Sequence, residues 1–108
     1  MIHHYWVENE VGKAVPATQQ EWIDFIAHQP RFLATDAVGA FRVSTVFTGI
    51  DIPPLLLYST GVLDLRGDRP ALVREWTYET RAAALDNHQR VVGSLDRHQQ
   101  TIDALLSL

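Results

Sequence analysis

Residues 40–63 read AFRVSTVFTGIDIPPLLLYSTGVL, and the alternation in this stretch decides the fold. Phe41, Val43, Thr45 and Phe47 fall on one face of an extended chain, and Arg42, Ser44, Val46 and Thr48 on the other, mixed face. Gly49 and the adjacent Pro53 and Pro54 then interrupt the run. Two neighbouring prolines remove two ladder donors, so residues 50–54 form a loop rather than a central strand. The largely apolar run 55–63 is the next strand, antiparallel to the first and suited to the covered middle of a sheet. Upstream, Gly39 separates 40–48 from another β-prone run, 31–38, as a tight hairpin or a bulge would.

The flanks extend this sheet. Residues 2–7 are short, aromatic and β-branched, a first strand followed by a turn at 8–12. Residues 16–21 open a helix: Thr18 as N-cap with Glu21 three positions on is a capping box, and Trp22, Ile23, Phe25 and Ile26 supply an apolar face. Pro30 ends this helix. Residues 64–70 are a polar, turn-rich connection, and 72–76 a last strand. From Thr77, taken as N-cap with Glu79 in the first turn, a second helix runs to Leu106. Its stripe is Leu85, His88, Val92, Leu95, Gln99, Ile102 and Leu106, with Asp86–Arg90 on the outer face. The order β-α-β-β-β-β-α predicts a single α+β domain over 1–108, an antiparallel sheet of four to five strands with two helices on one face.

Composition narrows function by exclusion. The 46% apolar and 20% charged fractions are those of a globular chain rather than a disordered one. Net charge is −4, with one Lys against eight Arg and no basic cluster, which argues against a nucleic-acid footprint. Without Cys there are no disulfides or thiolate metal sites. No signal-like or membrane-length apolar run is expected, so a cytoplasmic protein without membrane association is the default.

No chemical motif stands out. His88 and His98 lie ten residues apart on one helix, about 15 Å of rise, too far to share a metal. No Gly-x-Ser-x-Gly, phosphate loop or dinucleotide fingerprint is present. Loop acids Asp51, Asp64 and Asp68 read first as turn formers. Arg66-Gly-Asp68 spells a tripeptide that integrins read, but three residues are weak evidence and read first as a Gly-centred turn. Leu95, Ile102, Leu105 and Leu106 make the end of the last helix apolar, either as core or as a dimer seam. No cofactor, metal or catalytic set is expected.

Taken whole, the chain resembles a family of small uncharacterised proteins of phages and bacterial prophages. The family's pattern is V-S-T-V-F-L-G-x-D-H, a Gly/Pro-rich loop, P-x-L-F-E-T-M, and T-W-x-x-A-x-x-G-H on the last helix. The likeness is carried by Val43-Ser-Thr-Val-Phe47, Gly49, Asp51, Pro54, Leu56, Thr60, residues 77–82, and Asn87-His88. Where the pattern has His after the Asp, Glu before the Thr and Gly before the His, this chain has Ile52, Ser59 and Asn87. If those positions form a polar site in the relatives, Asp51 and His88 are what this member keeps. The resemblance implies a phage or mobile-element accessory protein; by analogy with that class, which includes inhibitors of host defence such as anti-CRISPR proteins, it is expected to bind a host or phage protein. The expected contacts are Asp51, His88, Asp64, Arg66, Asp68 and Arg69. The alternatives are a small hydrolase or metal-dependent enzyme using Asp51 and His88 with Glu75 or Glu79, and a homodimeric structural or assembly protein of a phage.

Overall fold

A computed structural model describes residues 3–28, 32–52 and 56–106, with side chains as far as residue 100. Pro30, Pro53 and Pro54 lie outside these residues. The elements are β1 (Tyr5–Glu8), β2 (Ala14–Ala17), α1 (Gln19–His28), β3 (Phe32–Val38), β4 (Phe41–Phe47), β5 (Tyr58–Asp64), β6 (Ala71–Tyr78) and α2 (Arg81–Leu106). The fold is α+β, with β3-β4-β5-β6 an antiparallel meander and β1-β2 a separate antiparallel hairpin. A bridge between Tyr5 and Ile50 ties the hairpin to the end of β4.

The meander follows from its turns and its alternation. Gly39 has φ +58° and Ala40 is not left-handed, the sign pattern of a type II′ turn, so Val38 pairs with Phe41 across a two-residue loop. On one face Val43 pairs with Val62, Thr45 with Thr60 and Phe47 with Tyr58, and all six are buried. The helix α2 lies across all four strands on this face. Hairpin β1-β2 and α1 cover its Phe47–Tyr58 end, where Trp6 and Phe25 pack on the core and the Phe25 ring meets Phe47 edge-on at 5.7 Å. Glu8 fastens this corner: its carboxylate accepts from the Tyr58 hydroxyl and from Arg81, both at 2.9 Å. The negative charge also faces the N-terminus of α2, whose first turn holds no acid of its own. Burial, and after it this carboxylate, pushes the Tyr58 hydroxyl well above the usual phenol range.

Three expectations need correcting. The segment 14–17 is a strand and not the approach to a helix, because Pro16 sits opposite Trp6 in a two-stranded ribbon where its missing N–H costs little. Thr77 is not an N-cap. Thr77 and Tyr78 continue β6 opposite Ser59 and Tyr58, and the cap is Thr80, whose hydroxyl accepts from the Ala83 N–H. The stripe of α2 is rotated by about one residue: Ala84, His88 and Val91 are buried, while Leu85 and Val92 flank them half-exposed. The capping box of α1 is present, with Glu21 and Thr18 each bonding the other's backbone N–H at 3.0–3.1 Å. The Thr18 backbone N–H, and after it the Thr18 side chain, holds the Glu21 carboxyl below its usual range.

Candidate functional site

The polar core of the molecule joins four elements. Thr45 in β4 and Thr60 in β5 face each other with their hydroxyl oxygens 2.6 Å apart. His88 from α2 descends on this rung, with Nδ1 2.7 Å from the Thr45 hydroxyl and Nε2 2.7 Å from the Asp36 carboxylate in β3. An ionised carboxylate only accepts, so Nε2 carries the proton and donates. With the ring neutral, Nδ1 accepts from Thr45, which in turn accepts from Thr60, and no hydroxyl donates twice.

The order hydroxyl, imidazole, carboxylate is that of a hydrolytic triad. Exposure decides against that chemistry. Thr45, Thr60 and His88 are each 0% exposed, under a helix and in mid-strand, so no acyl carbon can approach the Thr45 oxygen. Only the far end, the Asp36 side chain, reaches solvent, at 48%. The arrangement therefore bolts α2 to the middle of the sheet through satisfied hydrogen bonds.

His88, expected from the sequence as a contact residue, is fully buried in this network, and its network partners Asp36, Thr45 and Thr60 are not among the expected site residues. Asp36 sits in Ala34-Thr-Asp-Ala-Val38 with no motif around it. The available signal was negative: Thr45 and His88 are polar residues in otherwise apolar, core-facing rows, and a buried polar group must find a partner.

Asp51 and His88 have different contacts. The Asp51 backbone N–H donates to the His4 carbonyl beyond the end of β4, at the hairpin bridge, while His88 bonds Thr45 and Asp36. Glu75 and Glu79 are exposed. Among the described residues no three metal-ligating side chains converge, and no helix is long and apolar enough to cross a membrane.

The connection after β5 does bring two expected residues together. Arg66 grips the Asp64 carboxylate through Nε and Nη2 at 2.7–3.2 Å, and its backbone N–H adds a third donor. The Arg66 side-chain bonds, then that backbone bond, hold the Asp64 carboxyl at about 2. Asp68 and Arg69 are exposed on the same loop. Because the folded value lies below the ordinary 3.8, the pair stabilises above that pH and loses its contribution as pH falls through about 2. A carbon-detected titration of Asp64 is expected to show this depressed midpoint. Arg66→Ala, which keeps the backbone donor, should move it upward toward the ordinary range, and an unchanged midpoint would refute the pairing.

Leu95 packs half-buried against Val43, Val62 and Val91, so it belongs to the core of this chain. Ile102, Leu105 and Leu106 lie on helical backbone, with side chains outside the described residues.

The other face of the meander has a different character. Its rungs are Val46–Ser59–Thr77, Ser44–Gly61–Glu75 and Arg42–Leu63–Leu72, with Phe32, Thr35 and Ala37 along β3. Among the described residues no helix packs there. The centre carries Ser44, Val46, Ser59, Gly61 and Thr77, and apolar side chains stand at both edges, Phe32 62% and Leu72 57% exposed.

These features define a two-layer α+β protein with a buried polar core and one sheet face that no described helix covers. The chain matches no protein-family model, no curated protein and no solved structure.

Proposed function

We propose that this is an accessory protein of a phage or other mobile element that acts by binding a protein of the host cell, without catalysing a reaction. An inhibitor of a host defence system is the class of accessory protein this describes. The mobile-element origin rests on the resemblance at Val43–Phe47, Gly49, Asp51 and Asn87-His88. Binding rather than catalysis is supported chiefly by the sheet face that no described helix covers, where Phe32 and Leu72 stand exposed at either edge. Exposed apolar groups on a sheet face are what a protein partner desolvates on docking.

The test is retention of host proteins from bacterial lysate on the immobilised chain, against a Phe32→Asp/Leu72→Asp variant. Both side chains are exposed, so the variant keeps the fold, which circular dichroism checks. The expected result is a defined host protein held by the wild type and released by the variant. Retention of nothing, or of the same protein by both, overturns the proposal.

A further inference from the structure

On the helix-bearing side, α2 and the β4–β6 end of the sheet leave an open groove of about 380 Å³. This lies in the range of small-molecule sites, roughly 300–1,000 Å³. A concavity of that size does not offer the ~800 Å² per partner of an ordinary protein interface. Val62 and Val91 form its floor, and the Phe41 and Trp76 rings and Leu95 its walls. At its β6 side lies Val73, the extra residue at which the register with β5 shifts.

Its rim is cationic, and the charges do not cancel. Arg66 lies over the Phe41 ring at 5.3 Å but is committed to Asp64. Arg90 pairs with Asp86 at 3.2 Å. Arg74 lies 4.9 Å from the Trp76 ring centroid and, among the described residues, has no carboxylate within ion-pair distance. Contact with the ring fixes a guanidinium in place while leaving N–H groups free for a carboxylate. One uncompensated, positioned cation beside an apolar cleft calls for a ligand with one negative charge and an apolar body.

We infer that this groove binds an amphipathic monocarboxylate, its aliphatic or aromatic body against Phe41, Trp76 and Leu95 and its carboxylate on Arg74. The site is separate from the open sheet face and does not depend on the protein-binding proposal.

Decanoate, decanol and decylamine, each below its micelle concentration, are the probes, read by the Trp76 indole resonance in a 15N-labelled sample. Decanoate is expected to shift that resonance saturably, with decanol about tenfold weaker and decylamine inactive. Arg74→Gln, an exposed change that leaves the core intact, should weaken decanoate about tenfold and leave decanol unchanged, the loss of one charge-assisted contact. Equal affinity for decanoate and decanol, or no effect of Arg74→Gln, overturns the inference. So does the absence of a saturable shift, or a shift produced only by an acidic, apolar peptide.

Discussion

Gly49→Ala is expected to destabilise the protein by about 3–5 kcal/mol, seen as a large drop in the urea midpoint with the slope unchanged. Gly49 has φ +68°, a conformation that costs an L-residue about 1–3 kcal/mol. A methyl group there would stand 2.5 Å from the Trp22 indole nitrogen and 2.6 Å from the Trp6 carbonyl oxygen. Neither can yield freely. The Trp22 indole N–H donates to the Thr48 carbonyl at 2.9 Å, and the Trp6 backbone N–H to the Gly49 carbonyl at 2.8 Å. Relief therefore breaks the junction that docks α1 and the hairpin on the sheet. Gly93→Ala is the internal control, because its methyl would meet only the tip of Arg97 at 3.4 Å. In mid-helix that change should stabilise by about 0.5–1 kcal/mol. Equal effects at the two glycines would refute this description of the junction.

His88→Ala is expected to cost about 3–5 kcal/mol, the sum of a cavity and a buried hydroxyl pair left without its imidazole. That is a large part of the 5–15 kcal/mol that holds a typical domain together. A bolt whose role is structural has a second consequence. Replacing all three buried members together, His88→Leu with Thr45→Val and Thr60→Val, removes every unsatisfied group at nearly constant volume. The triple variant should fall within about 1.5 kcal/mol of the wild type, far above the single variant. Additive losses would mean that the network stabilises more than its desolvation costs, and would contradict this reading of its energetics.

Local chemistry carried much of the fold into view. Alternation at Phe41, Val43, Thr45 and Phe47 marked the buried face correctly, and Gly39 marked the hairpin. Thr18 and Glu21 located the start of α1. What failed was competition between local signals: Pro16 reads as a helix opening until Trp6 pairs with it, and Thr77 is as good a strand residue as an N-cap. The core bolt was beyond reach for another reason. Thr45 and Thr60 face each other only because β4 and β5 pair in that register, and Asp36 reaches His88 only because α2 crosses β3. The one-residue bulge at Val73, beside the groove at Trp76, is announced by no local pattern.

We propose that the polar network works inside the fold and that a protein partner docks on the sheet face opposite α2. The most direct test of this claim is host-protein retention by the His88→Leu/Thr45→Val/Thr60→Val variant, folded and compared with the wild type at equal concentration. The expected result is the same retained protein at the same affinity. A folded triple variant that no longer retains it would contradict the claim and return function to the Asp36–His88–Thr45 constellation.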